Sequence, residues 1–340
     1  MDLTVLIPTY QRPQELHRCL DALSALKTTV SFEVLVGIDG GKHESANVEV
    51  PERIRDRTRV VEFEKIGCVM VRRELLAIAQ GRVILWYNDD SCAQPGLLET
   101  HLAIHDHTTP RIVIGKAFWR PVEQPTLFDR LVQDSDLVFF RQPATTEPVQ
   151  IGYRDCYGLN MSFPLDAAMQ SGGVPELQNV YGYEDVEIAY RMQQAGVELW
   201  YAPDAKVMHD HRYLPLDVHR REYLLGRSAW AFTQVNPEFA CELFRCDLRD
   251  SSVTERFLGM IEQQWHDALR IEKSFLSLDQ ISPDAVDESI LPILAEHWVL
   301  LKRLLWRWGV LDAQRGIPSR WSRISETSPE SVLCASPDPV

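Results

Sequence analysis

Apolar runs alternate with helical periodicity along roughly the first ninety residues of the chain. The runs lack the polar alternation of a strand with one wet face, so we predict strands that are buried on both sides. Between them, apolar residues recur at helical spacing, first after Pro13 and again from Val69 to Ala79. Strands that alternate with helices predict a parallel sheet covered on both faces. The predicted strands are 3–7, 32–38, 59–63 and 83–87.

The pattern changes after this segment. Residues 119–150 are irregular and rich in Pro and Phe, which predicts an insertion or a bridge between two halves. Residues 151–211 are dense in Gly and in polar residues beside aromatic ones. Helical periodicity then returns, with 255–271 and 290–310 as the longest stretches. The tail from Pro318 is rich in Ser and Pro, so we expect it to be poorly ordered.

Polar residues stand at the points where three of the predicted strands end. In parallel sheets, ligands bind outside the carboxyl ends of the strands, so these positions form the candidate site. The chain has no G-x-G-x-x-G after the first strand and no Walker-type Gly-Lys-Ser/Thr, so a nucleotide here is not held by a glycine-rich loop. The three groups are Pro8-Thr9-Tyr10, Asp39-Gly40 and Asn88-Asp89-Asp90.

Asp89 and Asp90 place two carboxylates directly after a buried strand, which allows two interpretations. Asp is common in turns because its side chain bonds to nearby backbone, and this motif taken alone favours a turn. Two carboxylates also suit a hard divalent cation such as Mg²⁺ or Mn²⁺, which prefers oxygen ligands.

Composition and charge narrow the class of protein. The 340 residues are 45% hydrophobic and 25% charged, which is ordinary for a globular protein. The net charge is −14 and the pI is about 5.2, so we expect no nucleic-acid partner. Seven cysteines without a CxxC pair favour a reduced, cytoplasmic protein. We also expect no signal peptide and no membrane span, because no suitable apolar run is present.

The segment 297–311, HWVLLKRLLWRWGVL, is amphipathic, rich in Trp and basic within an acidic protein. Helices of this kind usually pack against their own domain or against a second copy of the chain as a homodimer. The alternative is peripheral contact with the inner face of a membrane, close to a lipid-linked acceptor. The sequence leaves these alternatives open.

Several segments, in order, resemble the inverting glycosyltransferases of family 2, which have the GT-A fold. VLIPTYQRP is similar to the family's first strand and loop, VLVGIDGG to the strand with an acidic turn, and VRRELLAIAQGRVILWYNDD to the helix and strand before its metal motif. YGLNMSF, SGGVPE and YGYEDVEIAYRMQQAG are similar to its acceptor-side block with the ED motif. YAPDAKVMHDH is similar to the strand and histidine that follow, so the resemblance covers Leu3 to Tyr213.

The resemblance implies an α/β fold, with a GT-A, Rossmann-like sheet that binds a nucleotide sugar and a mainly helical C-terminal extension. It implies a GT-A domain over 1–213, with a nucleotide half of about 1–115 and an acceptor half of about 116–213. We expect a helical region over 214–317 and a disordered tail over 318–340.

The resemblance also assigns residues to the donor. Thr9 and Tyr10 would line the pocket for the base, and Asp39 would accept a hydrogen bond from the base ring. Asp89 would face the ribose and phosphates, and Arg72 would lie on the same side. The whole predicted nucleotide-sugar site is Pro8, Thr9, Tyr10, Arg12, Asp39, Arg72 and Asp89.

A divalent metal, Mn²⁺ or Mg²⁺, is the predicted cofactor. Asp90 matches the family's direct metal ligand, and Asp89 lies beside it. Two carboxylates are few for a metal held by protein, so we expect His209 to be a third ligand. An isolated histidine is more often a surface or hydrogen-bonded residue. In the family context the metal interpretation of the acid pair outweighs the turn.

Asp185 matches the family's general base, with Glu184 beside it at the start of a predicted helix. Taken alone, these acids would only cap the helix. As a base, Asp185 would take the proton of the acceptor hydroxyl while that oxygen attacks the anomeric carbon opposite the leaving group. Tyr157, Asn160 and Tyr183 would shape the sugar or acceptor pocket, and turn hydrogen bonding is the alternative role of Tyr157 and Asn160.

Some positions depart from the family pattern, and they leave the base and sugar of the donor open. The first acid of the metal motif is Asn88, and the acid expected before Asp39 is Ile38. The Ser of the acidic turn is Gly41, and the Asn expected after Arg72 is Arg73.

These features predict a metal-dependent, hexosyltransferase-type enzyme that moves a sugar from a UDP- or other NDP-sugar to a hydroxyl with inversion. The acceptor would be a glycan, a lipid-linked compound or a small molecule, in glycan, polysaccharide or glycolipid biosynthesis. One alternative is a nucleotidyltransferase of related fold, although IPTYQRP is not its glycine-rich basic loop. The other is a non-catalytic sugar-binding protein, and the presence of both Asp90 and Asp185 argues against it.

Overall fold

The computed structural model describes residues 1–41, 44–105, 108–135, 142–178 and 180–319, and the chain divides into two compact units. The end of unit 1 at His211 is near the predicted boundary at residue 213, while 121–139 and 181–183 fall in unit 2. Most of the predicted tail lies outside the described residues. Unit 1 is Met1–Arg120, Phe140–Val180 and Glu184–His211, and unit 2 is Pro121–Phe139, Tyr181–Tyr183 and Arg212–Val340.

Within the described ranges, nine strands of unit 1 form one sheet, in the order β3-β2-β1-β4-β8-β6-β9-β5, with β7 paired to β9. The strands are β1 (Leu3–Thr9), β2 (Phe32–Asp39), β3 (Thr58–Phe63), β4 (Val83–Tyr87), β5 (Ser91–Ala93), β6 (Arg111–Trp119), β7 (Val149–Gln150), β8 (Asn160–Pro164) and β9 (Glu198–His209). The helices are α1 (Pro13–Ser24), α2 (Glu52–Arg55), α3 (Cys68–Ile78), α4 (Leu97–His105), α5 (Leu127–Gln133), α6 (Leu165–Gln170), α7 (Glu184–Gln194), α8 (Pro215–Val235), α9 (Pro237–Phe244), α10 (Ser251–Ser277) and α11 (Ile290–Gln314).

The predicted parallel sheet is the first half of this larger sheet. Strand β1 pairs in parallel with β2 and β4, and β3 is parallel to β2 at the edge. Every residue of β1, β2 and β4 is buried, as their unbroken apolar pattern predicts. Beyond β4 the sheet is mixed, because β8 is antiparallel to both β4 and β6. The strand periodicity alone did not indicate this mixture.

Helices α1 and α3 cover the parallel strands. The apolar residues of α1 that recur at helical spacing, Leu16, Cys19, Leu20 and Leu23, are all buried. Helix α3 lies so close to β2 that a Cβ on Gly37 would come within 2.4 Å of Val71 Cγ1. Each fully buried Leu contributes about 1.5–3 kcal/mol of hydrophobic stabilisation. The carboxyl ends of the strands are therefore held in a rigid layer.

Unit 2 is helical over its described residues, and the Trp-rich segment is part of its core. In α11, Trp298 and Trp308 are 1% and 4% exposed. Helices α8 and α11 cross at two glycines, because a Cβ on Gly226 would lie 2.0 Å from Trp306 O and one on Gly309 would lie 2.0 Å from Tyr223 O. The apolar face of 297–311 thus packs against its own unit, which is the first of the alternatives predicted for it. In the part of the chain that is described, no helix is long and apolar enough to cross a membrane.

Candidate functional site

The polar residues predicted at the strand ends meet at one edge of the unit 1 sheet. Strands β1, β2 and β4 are adjacent and parallel, so Thr9, Asp39 and Asn88-Asp89-Asp90 leave the sheet on the same side. Thr9 Oγ1 donates a hydrogen bond to Asp89 Oδ2 at 2.7 Å. The geometry brings these predicted residues together, as the rule for parallel sheets requires.

Asp89 and Asp90 are both buried, at 4% exposure each, and one arginine bridges them. Arg12, in the loop between β1 and α1, places Nη1 2.9 Å from Asp89 Oδ1 and 2.8 Å from Asp90 Oδ2. The other end of its guanidinium, Nη2, is 2.7 Å from His211 Nδ1. Arg12 was predicted on the nucleotide side, but its bridge between the acids was not predicted.

His209 lies beside Asp90 because of the register of the sheet. Strand β5 follows the acid pair directly and is antiparallel to β9, with Ser91 opposite His209. This pairing places His209 Nε2 3.4 Å from Asp90 Oδ2, while the next backbone amide, of Asp210, donates to Asp90 O at 2.7 Å. The imidazole is 3% exposed and packs against the ring of Trp119.

The pKa values of the two acids are shifted in opposite directions. Burial raises the pKa of Asp89 and is opposed by Arg12, while the charge of Asp90 adds to the rise. Burial alone would also raise the pKa of Asp90, but His209 and Arg12 outweigh it and hold that pKa well below its ordinary value. The carboxyl of Asp90 is therefore the more readily ionised of the two.

The donor atoms around Asp90 suit a divalent metal in kind. Its Oδ1 is buried and makes no hydrogen bond to any described residue, and such an atom is costly unless something binds it. Carboxylate oxygens from Asp89 and Asp90 with one imidazole from His209 match the ligand preferences of Mn²⁺ or Mg²⁺. Among the residues that are described, however, no three His, Cys, Asp or Glu side chains are assembled as a metal site. Arg12 Nη1 lies between the carboxylates of Asp89 and Asp90.

A second corner of the site joins the ends of β1 and β2. Asp39 Oδ1 accepts hydrogen bonds from the backbone amides of Ile66 and Gly67, at 2.8 Å and 3.0 Å. Lys65 Nζ is 2.6 Å from Asp39 Oδ2 and 3.1 Å from the centre of the Tyr10 ring. Tyr10 is 41% exposed, with Lys65 over one face of its ring and the fixed carboxylate of Asp39 beside that lysine.

Lys65 was missed by the sequence analysis. It follows β3, which ends at Phe63, one strand away from β2. The rule that identified the other strand ends would have found it if the weak third strand had been followed to its end.

Arg72 lies beneath the site and not on its surface. Its guanidinium is buried, 2.6 Å from Glu184 Oε1 and 2.9 Å from Asn88 Oδ1, and it packs over the ring of Trp86. It also donates to the backbone oxygen of Gly158 at 3.2 Å. Asn88 thus serves as an uncharged acceptor where the family pattern has an acid. A contact of Arg72 with the nucleotide stays a prediction.

Asp185 is the more accessible of the two predicted catalytic acids. It is half-buried in the first turn of α7, where its Oδ2 accepts from Gly158 N and its Oδ1 from Val186 N, both at 2.8 Å. Glu184 is buried against Arg72, and burial raises its pKa against that attraction. Geometry therefore favours Asp185 over Glu184 as the base.

The residues predicted for the acceptor pocket have different surroundings. Asn160 is buried, and its amide donates to Ala205 O at 2.9 Å while its Oδ1 lies 2.9 Å from His101 Nε2. Tyr157 is half-buried in the loop before β8. Tyr183 belongs to unit 2, where its hydroxyl accepts from Trp306 Nε1 at 3.0 Å. The pocket roles of these three residues stay predictions.

Comparison with known proteins concerns the family and the fold of the chain. The model described as "Glycosyl transferase family 2" matches residues 4–161. Validoxylamine A glucosyltransferase of Streptomyces hygroscopicus subsp. jinggangensis (strain 5008) is 24% identical over 221 residues, which are 58% of this chain and 52% of that protein. The uncharacterized glycosyltransferase YfnE of Bacillus subtilis (strain 168) is 26% identical over 128 residues, 36% of this chain and 31% of YfnE. The match thus spans about half the length of the first of these relatives and 31% of the second.

A solved structure shows the same fold. The mannosyltransferase PcManGT from Pyrobaculum calidifontis, in complex with GDP-Man and Mn²⁺, superimposes with a TM-score of 0.56 at 15% identity. The match covers 92% of this chain and 86% of PcManGT. It confirms the predicted GT-A class of fold, and at this identity it shows the fold alone.

Proposed function

We propose, because residues 4–161 match the model of glycosyl transferase family 2, that this chain transfers a sugar from a nucleotide-sugar donor to an acceptor hydroxyl. The observation that carries the proposal is the edge of the sheet where the acid pair, Asp39 and the exposed ring of Tyr10 meet. A stacking surface and a fixed carboxylate suit a base, and polar groups at strand ends suit a ribose and diphosphate.

The donor is a nucleoside diphosphate sugar in this proposal. The relative PcManGT was solved with GDP-Man and Mn²⁺, which supports this class of donor and of metal. Asp90, Asp89 and His209 would hold the cation. When bound, it supplies positive charge against the diphosphate that leaves. The protein's part is to fix the carboxylates in a buried layer and to lower the pKa of Asp90.

Asp185 would complete the transfer as the general base. Its carboxylate takes the proton of the acceptor hydroxyl, the hydroxyl oxygen forms the new bond to the anomeric carbon, and the bond from that carbon to the diphosphate breaks. A single displacement of this kind inverts the anomeric centre. The acceptor is a hydroxyl of a glycan, a lipid-linked compound or a small molecule. The relative named for validoxylamine A supports the last of these.

Metal-dependent donor binding tests the proposal. We expect UDP-, GDP-, dTDP- or CDP-sugars to raise the melting temperature in the presence of Mn²⁺, and EDTA to weaken the affinity for the preferred nucleotide diphosphate by about tenfold or more. Calorimetry of the full chain measures both effects.

Matched variants of the metal motif provide the control. Asp90→Ala removes the ionised ligand and should abolish the effect of Mn²⁺, whereas Asn88→Ala, whose side chain faces Arg72, should retain it. Equal affinity with and without EDTA for every donor would remove the metal from the proposed function. No binding of any nucleotide sugar would overturn the function itself.

A further inference from the structure

Arg12 is held at the acid pair by contacts on every side. Its Nη1 bridges Asp89 and Asp90 at 2.9 Å and 2.8 Å, and its Nη2 meets His211 at 2.7 Å. The backbone amide of Arg12 donates to Ser45 Oγ at 3.0 Å, which fixes the loop as well. One cation therefore serves both carboxylates.

The acid pair needs a cation to stay ionised and buried. The side chains of Asp89 and Asp90 are each 6% exposed, and two adjacent carboxylates out of water repel each other strongly. Arg12 supplies the opposite charge, but Asp90 Oδ1 still makes no hydrogen bond to the described residues. The pair is thus neutralised incompletely and keeps one oxygen for a further ligand.

Arg12 and a metal ion cannot both bridge these acids. A divalent ion would bind within about 2.0–2.6 Å of carboxylate oxygens from the pair. Arg12 Nη1 already lies within 3 Å of an oxygen from each acid, so the two cations would overlap or repel at close range. The side chain of Arg12 is 31% exposed, which leaves it a path toward solvent.

We propose that Arg12 is the internal counter-cation of the Asp89–Asp90 pair, and that a divalent metal is shared by both carboxylates only when the guanidinium leaves. The freed guanidinium then faces the anionic donor. This last step rests on the proposed function. In this arrangement the free protein holds its acids in place without metal, and the metal enters together with a new anionic partner for Arg12.

Metal binding without any nucleotide tests the competition directly. We expect Arg12→Gln to bind Mn²⁺ at least about tenfold more tightly than the wild type, because no guanidinium has to be displaced. A residue with a merely structural role would not raise the affinity when it is removed. Titration of Mn²⁺ into the full chain, followed by electron paramagnetic resonance and calorimetry, measures the change.

Arg120→Gln is the matched control. Arg120 also pairs with a buried acid, Asp210, at 2.6 Å, so its removal changes the charge equally without freeing the Asp89–Asp90 pair. We expect the Mn²⁺ affinity of Arg120→Gln to rise less than about threefold, because the loss of one positive charge acts only through the screened long-range electrostatic field. An equal rise in Arg12→Gln and Arg120→Gln would mean that only net charge matters, and would overturn the proposal.

A conservative variant guards against loss of the fold. Arg12→Lys keeps one cation but cannot bridge both carboxylates with a planar fork, so its Mn²⁺ affinity should lie between those of the wild type and Arg12→Gln. Affinities of Arg12→Lys and Arg12→Gln at or below the wild-type value would contradict displacement. Because the probe is the metal alone, this result stands apart from sugar transfer: an inactive protein with tighter Mn²⁺ binding in Arg12→Gln would reject the function and keep the inference.

Discussion

Asp185 and Glu184 are neighbours in sequence whose environments separate their chemistry. Glu184 is buried in an ion pair with Arg72 at 2.6 Å, while Asp185 is half-buried and held by two backbone amides. A general base must be reachable by the hydroxyl that it deprotonates. Accessibility therefore assigns the proposed base to Asp185 and leaves Glu184 as the partner that keeps Arg72 in place.

We predict that Asp185→Asn slows sugar transfer by about 10²–10⁴-fold, because an amide cannot accept the proton of the acceptor. Both carboxylate oxygens accept a backbone N–H, and an amide retains only one of these bonds, so the free energy of unfolding should fall by about 1 kcal/mol. Donor affinity should be nearly unchanged. Steady-state kinetics, calorimetry and urea unfolding measure the three quantities.

Glu184→Gln is the control for this prediction. It removes the charge that balances buried Arg72, so stability should fall by about 1–3 kcal/mol, while the folded protein keeps its base. Full activity of Asp185→Asn together with an inactive, folded Glu184→Gln would transfer the role to Glu184. Retention of the anomeric configuration in the product, seen by NMR, would reject a single displacement.

At the residue scale, strand ends were predictable and long-range partners were not. Thr9, Asp39 and Asp89 were placed correctly at one edge because parallel strands end together. The pair of Arg72 and Glu184 joins residues 112 positions apart, and no local periodicity indicates such a contact. The bridge made by Arg12 was missed for the same reason.

At the scale of elements, the long apolar strands and the amphipathic helix α1 followed from periodicity. Strand β5, with three residues, is too short to show a pattern, yet its pairing with β9 brings His209 to Asp90. The order of strands beyond β4 also depends on pairing that one sequence does not display. Elements that bury much apolar surface were therefore predictable, and the short elements that complete the site were not.

The junction of β6 and β9 offers a test of one such element. The pairing shifts register between Gly115 and Lys116, and the amide of Asn160 reaches into the gap to donate to Ala205 O. A Cβ on Gly115 would lie 2.1 Å from Asn160 Nδ2 and 2.3 Å from Ala205 O. Because one of these atoms is backbone, the strand would have to move.

We predict that Gly115→Ala lowers the free energy of unfolding by about 2–4 kcal/mol through this overlap. Gly152→Ala is the matched control in the same unit, since its Cβ would meet nothing closer than Asp155 Oδ2 at 4.0 Å. The free energy of unfolding of Gly152→Ala, measured with urea, should lie within about 0.5 kcal/mol of the wild-type value. Equal stability of the two variants would show that the gap relaxes freely.

At the scale of the whole molecule, the alternation of strands and helices predicted the α/β class, and the long periodic stretches predicted a helical second part. The location of the Trp-rich helix could not be decided from the sequence, because an amphipathic face can pack in a core, against a second subunit or on a membrane. Small residues decided it: Gly226 and Gly309 let α8 and α11 approach closely, so the tryptophans became core.

A buried chain of histidines makes the stability of the molecule sensitive to acid. The amide of Asn160 donates to Ala205 O, so its Oδ1 accepts from His101 Nε2. His101 Nδ1 lies 2.7 Å from Ser162 Oγ, and so does His105 Nε2. The Ser162 hydroxyl can then donate to His101 and accept from His105, with each ring neutral. Burial lowers the pKa of His101 to about 4 and that of His105 to about 3.

We predict that the free energy of unfolding falls as the pH drops from about 6.5 toward 4. The unfolded chain takes up protons near the ordinary histidine pKa of about 6.5, whereas the folded chain resists them until its lowered values are reached. The contribution of these histidines to the free energy of unfolding is therefore fully present above a pH of about 6.5. As the pH decreases below that value, the contribution falls by up to about 1.4 kcal/mol per pH unit for each histidine. Urea unfolding at several pH values measures this slope.

His105→Phe should lower the number of protons taken up on unfolding by about one, and so reduce the slope, while His266→Gln, on the surface of α10, should leave the slope unchanged. An identical slope in the wild type and His105→Phe would mean that His105 is protonated alike in both states, which its burial at 8% exposure argues against.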